Sequence, residues 1–197
     1  MKTLGEVFNP YLADKPLADD ISSAELLELN INTNNRSIAM TAGFGGLVKR
    51  DSLFTAEKQI SKSELNLGSV RINPIFSPNL FSADYFPELY KAVKRDIPSI
   101  NGTLNNAFVT YEEGNLQITL NNGGKSLLDA KGFDKALKRI IKDEFSLEIN
   151  IIYTGTLEID GQSEEYVQAM KNAAEKIERQ RIEESVNEAA SSEAVTK

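Results

Sequence analysis

An α+β fold is expected from this chain, and three observations carry that expectation. Short runs of alternating apolar residues recur along it, which is the two-residue period of half-buried strands. Between them lie longer stretches with apolar residues three and four apart, the period of helices that bury one face. Beyond Gly161 the composition shifts to Ala, Glu, Lys and Gln, all strong helix formers. The order is a small β-β-α-β unit, an α-β-β-α-α-β unit, and a charged C-terminal helix.

Residues 1–20, with "NPYLADKPLADD", show little periodicity and are expected to be a partly ordered lead-in. "AELLELNINTNNRSIAMTAGF" contains two alternating runs, Leu26 to Ile31 and Ser37 to Ala42. The asparagines of "NTNNR" tolerate the left-handed conformations of a hairpin turn. Leu53, Phe54, Glu57, Ile60 and Leu65 form a partial helical stripe, after which Val70, Ile72 and Ile75 restore strand alternation. Residues 21–78 are therefore expected to be a β-β-α-β interaction domain.

"SPNLFSAD" carries turn chemistry and separates the units. Ser82 or Asp84 can cap the following helix, which buries Phe86, Leu89, Tyr90 and Val93. Pro87 falls in its first turn, where a missing N–H costs little, and Ile97 before Pro98 closes it. Two strands, Phe108–Tyr111 and Leu116–Leu120, are joined by "EEGN". A short helix around Ser126–Ala130 and a longer one from Gly132 to Glu144 precede a final strand through Leu147, Ile149 and Ile151. This unit spans residues 79–158. Residues 159–197 are expected to be a helical linker, with the apolar seam Tyr166, Met170, Ala173 and Ile177 and a disordered end.

The composition narrows the chemistry. The 41% apolar and 26% charged residues are ordinary for a soluble globular protein. No apolar run approaches the roughly 18–20 residues of a membrane span, and "MKTLGEVFNP" lacks the apolar core of a signal peptide, so no membrane contact and a cytoplasmic location are expected. The chain has neither cysteine nor histidine. Thiolate nucleophiles, Cys-type zinc sites and a Ser-His-Asp arrangement are thereby excluded within it. A net charge of −7 argues against a protein that coats nucleic acid nonspecifically.

Three motifs invite functional readings. "NNGGKS" contains the Gly-Gly-Lys-Ser step of a phosphate-binding loop, whose earlier glycine turns the chain so that its N–H groups face phosphate. Thr119 stands where that glycine belongs, and no acidic strand of Walker B type follows, so a strand-to-helix turn is expected and an ATP hydrolase is not. On the long helix, Lys131, Lys135, Lys138 and Lys142 fall within about a 60° stripe, opposite Phe133, Leu137, Ile140 and Ile141. Such a ridge is ordinarily a solvated face, although it could track phosphates. The adjacent carboxylates Asp19-Asp20, Glu112-Glu113 and Glu164-Glu165 have no third ligand at fixed spacing, and solubility or capping explains them better than a Mg²⁺ site.

The α-β-β-α-α-β order resembles a type II KH-like domain, in which a G-x-x-G loop between two helices clamps a nucleic-acid backbone. "DAKG", residues 129–132, holds that place. Gly132 matches the second glycine, and Asp129 puts a carboxylate where the first should be, which opposes a phosphate. The residues a single strand would meet are Lys125, Lys131, Gly132, Lys135, Lys138 and Lys142. More broadly, "IFSPNLFSADYFPELYKAVKRDIPSINGTLNN" and "NNGGKSLLDAKGFDKALKRIIKDEFSLEINI" resemble the N-terminal region of the PolC-type DNA polymerase III alpha subunit of low-GC Gram-positive bacteria. The resemblance covers roughly Phe8 to Glu184. It implies a large Mg²⁺-dependent polymerase with a 3′–5′ exonuclease as parent, whose active-site motifs have no match here. It also implies a non-catalytic segment without a cofactor of its own. The expected role is replisome contacts, with the clamp-loader tau subunit as partner. The alternative is weak binding of single-stranded DNA.

Overall fold

A computed structural model describes residues 1–12, 15–100, 102–121 and 123–156. The expected C-terminal linker and disordered end lie outside the described residues. Six helices and six strands run in the order α1 (Leu4–Phe8), α2 (Asp19–Ser22), β1 (Glu25–Asn32), β2 (Ser37–Gly43), α3 (Arg50–Ser61), β3 (Ser69–Ile75), α4 (Phe86–Asp96), β4 (Phe108–Glu112), β5 (Asn115–Leu120), α5 (Lys125–Ala130), α6 (Phe133–Phe145) and β6 (Asn150–Gly155) among the described residues. The fold is α+β, as expected.

The strands form two three-stranded sheets, ordered β1-β2-β3 and β4-β5-β6. Each begins with an antiparallel hairpin and adds its third strand parallel to the second. A parallel neighbour requires a crossover, supplied by α3 in the first sheet and by α5 and α6 in the second. In β2 and β3 the alternation of the sequence becomes burial: Ile38, Met40 and Ala42 lie beside Val70, Ile72 and Pro74 in the core.

The two hairpin turns solve one problem differently. In the second, Glu113 and Gly114 both have positive φ, 49° and 80°, which suits a two-residue connection between twisted strands. In the first, the left-handed residue is Arg36 (φ 54°) and not an asparagine. Asn32 and Asn35 instead accept hydrogen bonds from the backbone N–H groups of Asn34 and Ser37, two residues on.

Other differences are equally physical. The lead-in is built into the core: Leu4, Phe8 and Leu17 are buried, as is Ile21 just after it. A capping box between Thr3 and Glu6 secures α1. Neither Ser82 nor Asp84 caps α4 through its side chain; a 3-10 turn, Ala83–Tyr85, leads into the helix instead. The last strand starts at Asn150, after Leu147 and Ile149.

Residues 1–157 form one compact unit, and its core runs through both sheets. Phe145, at the end of α6, is fully buried with its ring 5.1 Å from Phe76, 5.1 Å from Phe81 and 5.7 Å from Tyr85. Phe76 follows β3 of the first sheet, so this aromatic cluster carries the core across the segment between the two units.

Candidate functional site

The Gly-Gly-Lys-Ser turn is occupied by structural duties. Gly123 and Gly124 have φ of 71° and 98°, which makes the sharp entry into α5. A side chain at Gly124 would also come within 2.7 Å of Thr103. The Lys125 ammonium pairs with Asp129 and lies 4.5 Å from the centre of the Tyr153 ring. Tyr153 in turn donates to Asp134, and burial pushes its hydroxyl further toward the neutral form. Thr119 is a sheet residue whose hydroxyl meets that of Thr154 at 2.9 Å. The lysine and the threonine of this stretch are thus held by neighbours within the fold.

The lysine ridge is real as geometry. Lys131, Lys135, Lys138 and Lys142 are all exposed, while Phe133, Leu137 and Ile141 are fully buried on the other side of α6. Ile140 is half-buried. Lys142 is engaged at 2.7 Å by Glu148. Gly132, with φ of 67°, opens α6, and a Cβ built there meets open space.

A second constellation lies between β3, α3, α4 and α6, around a cleft of about 470 Å³. Arg50, Arg71, Arg95 and Arg139 line it together with Asp96, Asp143 and Glu144. The charges are largely consumed by one another. Arg50 pairs with Glu144, both buried; Arg71 reaches Asp96 at 3.0 Å; Arg95 reaches the buried Glu57 at 2.8 Å. Glu57 also accepts the Ile72 N–H at 2.8 Å, joining α3 to β3. Glu88, from α4, accepts the Arg50 backbone N–H at 2.6 Å and so caps α3 from another element. Burial pushes the Glu144 carboxyl up to about 7, against the opposing pull of Arg50. This cleft joins the first sheet to the helices of the second.

Sequence reasoning placed Glu57 on the α3 stripe but missed Arg50 and Glu144. A signal for Glu144 existed: it stands three residues after Ile141 and seven after Leu137, on the buried stripe of α6. Arg50 had no such signal, because its burial comes from a partner 94 positions away.

The third feature is the edge of the first sheet. Leu27, Leu29 and Ile31 on β1 are 43%, 39% and 61% exposed. Leu29 and Ile31 pair with Met40 and Ile38, so they belong to the core-facing side of the sheet, yet the core does not extend over them.

Among the described residues no group of three acidic side chains could hold a metal ion, and no helix is long and apolar enough to cross a membrane. The Asp19-Asp20 pair sits in the first turn of α2, where Asp20 accepts the Ile21 N–H. Glu112 and Glu113 lie at the end of β4 and in its turn, and Glu164-Glu165 are outside the described residues.

The fold and its surfaces define an α+β module marked by an exposed apolar edge and a lysine-bearing helix. The chain belongs to the DNA polymerase III polC-type N-terminus II family, whose model matches residues 84–197, more than half of its length. The match begins at the turn before α4, and residues 8–83 of the wider resemblance lie outside it. No curated protein and no solved structure matches the chain.

Proposed function

We propose that this chain is a non-catalytic N-terminal segment of a PolC-type replicative polymerase and that it serves protein–protein contacts within the replisome. The observation that carries the role is the exposed apolar pair Leu29 and Ile31 on the core-facing side of β1, since exposed apolar surface commonly marks an interaction site. In this reading residues 21–78 are the interaction part, 79–158 a KH-like part and 159–197 a linker toward the rest of the polymerase. The division is one of roles, because the two sheets share a core. The clamp-loader tau subunit is the partner the family suggests, in the cytoplasm and without a cofactor bound to this segment. In a pull-down with purified replisome proteins, the immobilised chain should retain one of them, and the chain alone should incorporate no nucleotide. Capture of none, or strand synthesis by the chain alone, would remove the proposal.

A second reading rests on the exposed ridge: a single-strand-binding KH-like module using Lys131, Gly132, Lys135 and Lys138. It calls for affinity that falls steeply with salt, because each neutralised phosphate releases counterions. Replacing Lys135 and Lys138 by Glu should abolish binding to a labelled oligonucleotide. Equal affinity in the double variant would rule this reading out.

A further inference from the structure

A β-sheet exposes unpaired N–H and C=O groups at both edges, and such edges are templates for another strand unless they are covered, shortened or charged. The two edges of the first sheet are treated differently. Along β3, Pro74 has no N–H to offer, the Ile72 N–H donates to the buried Glu57 at 2.8 Å, and the Phe76 N–H that follows the strand donates to the Glu144 carbonyl at 2.7 Å, so little of that edge is left to pair. Along β1, the chain closes only the beginning. Leu26 N–H donates to the Lys2 carbonyl at 2.9 Å, and Thr3 makes an antiparallel bridge with Glu25. A bulge at Leu27 ends this paired portion.

From Glu28 to Asn32 no strand lies beyond β1 among the described residues. This open stretch contains neither proline nor lysine, two residues that proteins place on edges to keep other strands away. Its core-side residues, Leu29 and Ile31, are the exposed apolar ones, and Glu28 points to the opposite face beside Thr41. A strand laid along this edge would place apolar side chains next to Leu29 and Ile31 and complete the layer begun by Met40 and Ile38. On the other face its side chains would meet Glu28. Glu25 and Glu28 are the charged residues of β1, so a strand bearing Lys or Arg is favoured over a second copy of β1, which would bring glutamates together.

From this we infer that the Glu28–Asn32 edge binds an extended segment of another protein by strand addition, the segment alternating apolar residues with Lys or Arg. In this mode main-chain hydrogen bonds supply affinity and alternate side chains supply specificity. The inference rests on the protein-contact reading above and adds to it the mode of contact and the chemistry of the partner.

A labelled nine-residue peptide alternating Val and Lys, titrated against the full chain by fluorescence polarisation, tests it. Saturable binding is expected. It should weaken at least tenfold when the peptide lysines become glutamates, when a central proline interrupts the peptide, and when the chain carries Ile31→Lys or Leu29→Lys. Both positions are exposed, so the variants should keep the wild-type circular dichroism. No binding of the basic peptide, equal binding of the proline peptide, or unchanged affinity in both variants would overturn the inference. So would a dimer of the chain that Ile31→Lys dissolves and the peptide does not displace. A pull-down separates the two levels: a replisome protein retained equally by wild type and Ile31→Lys defeats the edge but not the contact role, whereas retention by neither defeats the role.

Discussion

Replacing Glu144 with alanine should destabilise the chain by about 3–5 kcal/mol in urea denaturation at a pH well above 7, where the carboxyl is ionised, the scale for removing one partner of a buried ion pair. Arg50 would then be a buried cation without its carboxylate. Its Nε already meets no acceptor in the structure, so no spare interaction stands ready to compensate. The Arg50→Met, Glu144→Leu double variant should recover most of the loss, because apolar side chains of similar volume carry no desolvation penalty. An equal loss in single and double variants would show that shape, and not charge, matters at this position.

The same carboxyl gives a pH dependence of defined sign. Burial raises it to about 7 in the folded chain from an ordinary 4.5. The folded state therefore retains a proton that the unfolded state releases. The stabilisation from this group is complete below the unfolded value and is lost as pH rises through about 7. Relative to Glu144→Gln, which cannot titrate, the wild-type chain should lose stability between those two values. A constant difference across the window would mean that Arg50 holds Glu144 ionised throughout.

The second large effect is expected at Phe145. Phe145→Ala should cost about 3–5 kcal/mol, the usual range for deleting a large buried aromatic. Because the Phe145 ring meets Phe76, which follows β3, and Phe81, whose ring lies 4.6 Å from that of Tyr111 in β4, the loss should be felt by both sheets. Tyrosine fluorescence and far-UV circular dichroism should give coincident unfolding curves in wild type and variant alike. Separate transitions would show that each sheet is held by its own local core.

Much of the fold is legible in residue order because its signals are local. Ile38, Met40 and Ala42 alternate, so β2 can be read without a partner, and burial then follows the same alternation. Phe133, Leu137 and Ile141 recur every four residues, so α6 and its lysine side are equally plain. Pro98 announces the end of α4 one residue early, because its ring disfavours helical geometry at Ile97. The candidate site was less legible. Lys131, Lys135 and Lys138 are exposed where their spacing put them, but spacing could not reveal that Lys125 is held by Asp129 and Tyr153. The lead-in is hard to read for a different reason: Leu4 and Phe8 share a helix of only five residues, too short to sustain a visible period, yet both are buried, as is Leu17.

By itself the sequence determined the α+β class, the turn at Gly123-Gly124 and the absence of thiol and imidazole side chains. Each depends on residue type or on neighbours within a few positions. The tertiary structure alone decided that Arg50 meets Glu144, that Phe76 meets Phe145, and that β3 is a covered edge while most of β1 is an open one. Those outcomes depend on which elements come together across many residues. An alternating run such as "ELLELNIN" is spelled the same way whether its outer edge is paired or free.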